Sequence, residues 1–367
     1  MKKLLVFAVA ALGMLACTGK NDPKDPTNES ATITCNPTTK TVVVLGDELF
    51  TVTITTKTAW SATADKPWVT ITPNSGQGDA FVTVTVADGN NDEARVLFSN
   101  GNSSATLIIN RKRGMLPGKF SVSASKQVHF SPGNLQYQAS TQTWRFAGHQ
   151  YDMIGSDNSN IANNYSGWID LFGWGTGNNP TNISTSESDY STFVDWGVNA
   201  ISNGGNEANL WRTLTHYEWR YLFCTRTNAA SLFGLGSVNG INGTIILPDN
   251  WSSPQGVSFT PSTTQGLAGQ GTYYKDSNGG HFGDNTYSAE QWSVMEQNGA
   301  VFLPAAGYRT PGTGVLYVGS DGHYWSSPSH DYPNSDTYLQ FNSNELYPTI
   351  FSRRDIGLSV RLVKDVE

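Results

Sequence analysis

Phe81-Val-Thr-Val-Thr-Val86 alternates with a period of two, placing Val82, Val84 and Val86 on one face of a strand and hydroxyl side chains on the other. Outward from it, Phe50-Thr-Val-Thr-Ile-Thr55 and Ala105-Thr-Leu-Ile-Ile109 repeat the pattern. Clusters of Asn, Gly and Pro separate such runs about every 8–12 residues, which is the spacing of a small sandwich. Residues 31–113 are therefore predicted to form a β-sandwich. A half-buried strand pattern carries no catalytic information, so function has to be sought in particular side chains.

Ala59-Trp60-Ser61, Pro67-Trp68-Val-Thr-Ile-Thr-Pro73, Ser75-Gly76 and Arg95-Val-Leu-Phe98 stand in one order along this segment. In that arrangement the segment resembles the BACON domain of Bacteroidetes surface proteins. The resemblance implies an Ig-like sandwich, associated in that family with glycan and mucin binding and in many members with a spacer role. Asn110 or Arg111 stands where the family usually carries Gln. Trp60 and Trp68 could form a sugar platform, but large aromatics on such strands are expected to plug the core.

The chain opens Met1-Lys2-Lys3, followed by an apolar run from Leu4 to Leu15 and then Ala16-Cys17. A charged start, a short apolar stretch and a small residue before the cut are the parts of a signal peptide. The run falls short of the roughly 20 apolar residues that span a bilayer. With Cys at the cut, residues 1–16 resemble a bacterial lipoprotein signal. That resemblance implies a lipid on Cys17, a location at the outer membrane facing the cell surface, and a membrane contact made through the lipid. Residues 17–30 are polar and contain proline, as a flexible tether does.

The formal charge is −7, with 30 acidic and 23 basic residues, and falls to about −9 once the leader's two lysines are gone. An acidic balance argues against nucleic acid as a partner. Besides Cys17, the cysteines are Cys35 and Cys224, with no metal-binding spacing. Cys224 is expected to be a buried thiol in an apolar helix.

The second unit is expected over 119–365, after a hinge at Gly114-Met-Leu-Pro-Gly118. It combines short strands, long Gly/Asn/Ser loops and two helices. A helix is predicted over Leu210–Thr225, with Thr215 and Glu218 as a capping box. That role explains Glu218 better than catalysis beside His216. A second helix is predicted from Ser288 to Gln297, closed by Asn298-Gly299, before a buried strand at Ala300–Pro304. Arg212-Thr-Leu-Thr215 with Glu218-Trp219, Leu303-Pro-Ala-Ala-Gly-Tyr-Arg309, Tyr324-Trp-Ser-Ser327 and Gly357-Leu-Ser-Val-Arg-Leu-Val363 follow in order. Through them the region resembles the formylglycine-generating-enzyme and C-type-lectin-like superfamily, including the major paralogous domain of Fibrobacter. The implied fold is α+β and C-type-lectin-like, with the last strand beside the start of the region.

The resemblance carries no enzyme chemistry across. The oxidases need a copper-binding cysteine pair late in the chain, and no cysteine follows Cys224. No HExxH, GxSxG or CxxC is present. The calcium lectins' Glu-Pro-Asn and Trp-Asn-Asp strings are missing, so no cofactor is expected. Asp276-Ser-Asn278 and Gly283-Asp-Asn285 could hold a structural calcium, or simply form turns. His323 and His330, with Asp321 and Asp331, could meet at a metal.

From Gly319 to Arg354, Tyr and Trp alternate with Ser, Asn, Asp and His, a mixture favoured in recognition surfaces. This segment resembles the variable C-terminus of retroelement-diversified proteins. The expected contacts are Tyr324, Trp325, Tyr332, Asn334, Asp336, Tyr338 and Asn342. An alternative reading makes Thr337–Asn342 an edge strand. The expected function is a non-enzymatic, lipid-anchored adhesin that binds a glycan, mucin or surface protein. A structural subunit of a surface assembly and a polysaccharide-acting enzyme are the other readings.

Overall fold

The computed structural model describes residues 32–44, 47–87, 89, 92–262, 274–275, 281–328 and 336–366. The leader, the tether and Cys17 lie outside them. Among the described residues, no helix is long and apolar enough to cross a membrane.

The chain is β-rich and its strands form several sheets. Residues 33–113 contribute two. One has the order β1 (Ile33–Asn36), β3 (Glu48–Thr56), β7 (Ala80–Val86), β5 (Val69–Thr72). The other runs β2 (Thr39–Val44), β9 (Ser104–Arg113), β8 (Asp92–Ser99), β4 (Ala59–Ala64), β6 (Ser75–Gln77). The period-two pattern does what it predicts: Val82, Val84 and Val86 are buried with Val52, Ile54, Val96, Phe98 and Leu107 in one cluster fed by both sheets. Trp60 is buried in that cluster and donates its Nε1–H to the Gly78 carbonyl at 3.0 Å. Trp68 packs at its margin. The Arg111 guanidinium covers its ring at 4.0 Å, and Asp92 accepts from its Nε1. Both indoles are thus committed to the core and its edge, as expected.

From residue 116 onward the buried side chains form three further clusters that share no residue with the first. Among the described residues the strands of this region form five small sheets. The first has the order β10 (Phe120–Ser121), β11 (Gln127–Phe130), β26 (Leu362–Asp365), β15 (Arg212–Thr213). The final strand therefore lies beside an early one, Val363 opposite Phe130. The second is β13 (Thr143–Phe146), β12 (Leu135–Gln138), β14 (Trp168–Ile169). The third is β19 (Thr286–Tyr287), β16 (Phe233–Val238), β17 (Ile241–Ile246), β20 (Val301–Pro304). The fourth is β18 (Tyr274–Lys275), β25 (Glu345–Phe351), β24 (Thr337–Phe341), β23 (Gly322–Trp325), and the hairpin β21 (Tyr308–Thr310)–β22 (Gly314–Leu316) is the fifth.

Two predicted helices need comment. The first begins at His216, not Leu210, because Arg212 and Thr213 pair with Val363 and Leu362 as β15. Thr215 is extended and caps α1 (His216–Arg220), accepting from the Glu218 N–H while the Glu218 carboxylate accepts from the Thr215 N–H. Residues Tyr221–Thr225 continue as a π turn, which leaves Cys224 exposed rather than buried. The second, α2 (Ala289–Gln297), stands where predicted, capped by Ser288 and ended by Gly299 at φ 95°.

Arg361 is the polar centre of this region. It is 1% exposed, and its guanidinium donates to Asn134 Oδ1 at 3.1 Å and Gln150 Oε1 at 2.6 Å. Gln150 in turn donates to Glu296 and the Ala300 carbonyl and accepts from the Phe302 N–H. Asn134 donates to the Tyr324 hydroxyl, which donates to the Pro304 carbonyl. Burial drags the guanidinium down to about 10. Replacing Arg361 with Met strands buried acceptors, so unfolding in urea should show a loss of about 2–4 kcal/mol. A loss under about 1 kcal/mol would contradict this role.

Asp170 is fully buried, its carboxylate accepting from the Ile154 N–H at 2.9 Å and Asn158 Nδ2 at 2.8 Å. Desolvation outweighs these bonds and pushes its carboxyl up to about 6. Between about pH 4 and 6 the folded chain then keeps a proton that the unfolded chain has released, so stability falls as pH rises through that window. Relative to Asp170→Asn, the native protein should lose on the order of 3 kcal/mol between pH 4 and 7. Parallel pH profiles for the two proteins would remove Asp170 as the cause.

Candidate functional site

The sheet β18-β25-β24-β23 has two faces with different neighbours. Register pairs Tyr324 with Leu339, and these point with Phe341 into one apolar cluster. The alternate positions pair His323 with Gln340 and Trp325 with Tyr338. Trp325 is fully buried on that second face and donates to the Phe172 carbonyl. His323, Tyr338 and Gln340 instead line a depression of about 440 Å³ with Tyr308, Tyr317, Asp321, Ser352 and Ile356.

One wall of this depression comes from a hairpin. Pro311-Gly312 turns the chain, with Gly312 at φ 74° and the Thr313 N–H on the Thr310 carbonyl. Because Tyr308 pairs with Leu316, the next residue, Tyr317, returns beside it. The two rings stack at 5.7 Å with 22° between their planes. Tyr317 is 56% exposed and holds φ 57°, a backbone region costly for a bulky residue. Its carbonyl accepts from the Ser320 and Asp321 N–H groups, which fixes the turn. Gly307 brings the hairpin close to the sheet. A β-carbon there would lie 2.1 Å from the Leu316 carbonyl oxygen, and Gly307 donates its N–H to the Asp321 carbonyl.

His323 forms the floor. It is 5% exposed, and both ring nitrogens are buried without a hydrogen-bond partner among the described residues. Tyr308 meets its ring edge to face at 4.9 Å, and Tyr338 lies at 5.5 Å. Asp321 Oδ2 stands 3.9 Å from Nε2. Burial raises both phenols, Tyr338 to about 12, so each stays a neutral hydroxyl at physiological pH. An unpartnered buried imidazole is costly, and a bound polar ligand would relieve it. Asp321 also lines a second depression of about 380 Å³, with Asn242, Phe282, Gly319, Ser320 and Asn342–Asn344.

The seven expected contacts divide. Tyr338 lines the first depression and Asn342 the second. Tyr324 and Trp325 are corrections: both are 0% exposed, because β23 is covered on both faces. Asp336 is held in an ion pair with Arg354 at 3.2 Å. Tyr332 and Asn334 lie outside the described residues, as do His330 and Asp331 of the suggested metal cluster. Residues 337–341 form an inner strand rather than an edge, flanked by β23 and β25. Tyr308 and Tyr317 were missed. Their signal was the Pro311-Gly312 turn, which implies a hairpin and brings its flanking tyrosines together.

Other suggested sites resolve into structure. Glu218 carries the capping box and a two-point pair with Arg212, both at 2.8 Å. In the Gly283–Asn285 loop, Asp284 meets His281 at 2.8 Å. Asn285 is buried on the backbone of Thr260 and Leu235, so turn and packing roles use its polar atoms. Asp276–Asn278 lies outside the described residues. Among the described residues no group of three His, Cys, Asp or Glu could hold a metal ion.

No protein-family model matches the sequence, and no curated protein matches it. Several solved structures are similar to part of it. A Bacteroides ovatus GH5 xyloglucanase, in complex with a XXXG heptasaccharide, is 15% identical over 24% of this chain and 20% of its own, with a TM-score of 0.22. Domains 4 and 5 of the S-layer protein SbsC are 22% identical over 22% of this chain and 51% of theirs, with a TM-score of 0.19. The chain thus spans a fifth and about half of these two relatives. At such scores neither likeness bears on function.

The division into core and lining positions is measurable. Tyr324→Phe removes the hydroxyl between Asn134 and the Pro304 carbonyl and should cost about 1–2 kcal/mol in chemical denaturation. Tyr317→Ala, at an exposed position, should stay within about 0.5 kcal/mol of the native protein.

Proposed function

We propose that this chain is a non-enzymatic binding protein and that the depression around Tyr308, Tyr317 and His323 receives a sugar ring. The observation that carries the reading is the buried His323 imidazole, whose two nitrogens have no hydrogen-bond partner among the described residues, beneath a stacked tyrosine pair. Aromatic faces hold the CH faces of sugars, while a few placed polar groups fix hydroxyls. Asp321, Gln340, Ser352 and the phenols are such groups. Glycoside hydrolysis uses two carboxylates about the scissile bond. Among the described lining residues Asp321 is the carboxylate, which favours binding over hydrolysis.

In this reading the region 119–365 is lectin-like, of the C-type-lectin-like or formylglycine-generating-enzyme-like kind, and residues 31–113 are an Ig-like, BACON-like spacer. Two sheets around one core support the spacer, and the return of β26 beside β11 supports the lectin-like closure. The leader and Cys17 would tether the chain by lipid at the outer membrane, in the geometry of an adhesin for a glycan, mucin or glycoprotein.

The test is a glycan and mucin array probed with the purified full-length protein. Specific binding is expected, with Tyr317→Ala at least tenfold weaker and Phe81→Ala, an exposed position within 33–113, unchanged. Folded protein that binds nothing on the array would end the sugar reading. Tyr317→Ala binding like the native protein would move the site elsewhere.

A further inference from the structure

We infer that the depression, taken as the saccharide site proposed above, selects uncharged, hydroxyl-bearing ligands and excludes acidic ones. The inference rests on that reading and adds the ligand's charge class.

Asp321 lines both depressions. A ligand seated in either one lies beside this residue. Among the described lining residues of both depressions, Asp321 is the carboxylate, and no Lys or Arg lines either. The arginines that follow Ser352 along the chain are spent elsewhere. Arg353 pairs with Asp355 and Glu187, and Arg354 pairs with Asp336 while lying over the Trp174 ring. An acidic sugar would therefore bring its carboxylate to the Asp321 carboxylate with no Lys or Arg in the described lining to offset it.

Hydrogen-bond chemistry points the same way. In either neutral tautomer His323 offers one donor and one acceptor, and Asp321 offers acceptors only. The phenols of Tyr308 and Tyr338 can donate or accept. A hydroxyl both donates and accepts, so vicinal hydroxyls can satisfy the imidazole and the carboxylate together. A carboxylate or sulfate only accepts, and it would leave Asp321 and the acceptor nitrogen unpaired. Leaving a buried polar group unpaired is the strongest source of discrimination available to a small site.

The experiment uses full-length protein on an array of paired probes. These are N-acetyllactosamine with and without terminal sialic acid, oligogalacturonides as acids and as methyl esters, and neutral cello-, xylo- and manno-oligosaccharides. Bound glycans should be neutral, and the acid form of any bound probe should be at least tenfold weaker, about 1.4 kcal/mol. Methyl esterification should restore binding, which separates charge from size. Asp321→Asn, shown folded by circular dichroism, should bring acid and ester forms within about threefold of each other. An acid form binding as tightly as its neutral partner would overturn the inference and leave the sugar reading standing. So would an Asp321→Asn variant that discriminates as the native protein does. Binding of no glycan by folded protein would overturn the sugar reading and this inference with it.

Discussion

The buried guanidinium of Arg361 ties together three separate parts of the region beyond residue 115. Among the described residues no carboxylate pairs with it; two side-chain amide oxygens, from Asn134 and Gln150, hold it instead. A charge so placed survives only if its partners are themselves fixed. Gln150 is fixed by Ala300, Phe302 and Glu296, and Asn134 by the Tyr324 hydroxyl. One side chain near the end of the sequence thereby sets the relation between the entry to β12, the strand after α2, and β23. The candidate site hangs on the last of these.

That dependence explains how an open depression coexists with heavily buried neighbours. Because Tyr324 is anchored on one face of β23, pleating must turn His323 and Trp325 to the other. Trp325 is covered, while His323 meets the returning hairpin and stays at the base of a depression. The glycine between Asp321 and His323 is obligatory, because a β-carbon on Gly322 would lie 2.0 Å from the Phe341 ring. Close packing on the core side thus fixes the position of the groups on the ligand side. The strained Tyr317 is set by the same frame, through the carbonyl that receives Ser320 and Asp321.

Legibility differed between the two parts of the chain for a physical reason. In residues 33–113 the long strands β3, β7 and β8 bury alternate side chains, so alternation reports burial directly and Val82, Val84 and Val86 could be placed from their spacing alone. The helix α2 was equally readable, since Ser288, Gln291 and Gly299 act within a few residues of one another. Beyond residue 115, β23 and β20 are buried on both faces, and the alternation that distinguishes inside from outside disappears. Tyr324 and Trp325 look like exposed recognition aromatics for that reason. Arg212 and Thr213 read as helix because their pairing with β26 spans some 150 residues of sequence.

The sequence by itself determined what local chemistry decides: the alternating strands, the caps of both helices and the acidic balance. Only the tertiary structure decided which aromatics are walls and which are core, because that depends on what covers each face of a strand. It also placed Asp321 and His323 beside the Tyr308–Tyr317 stack, a meeting of hairpin and sheet that no spacing encodes. A side chain's type fixes what it can bind, and its cover in the fold fixes whether anything can reach it.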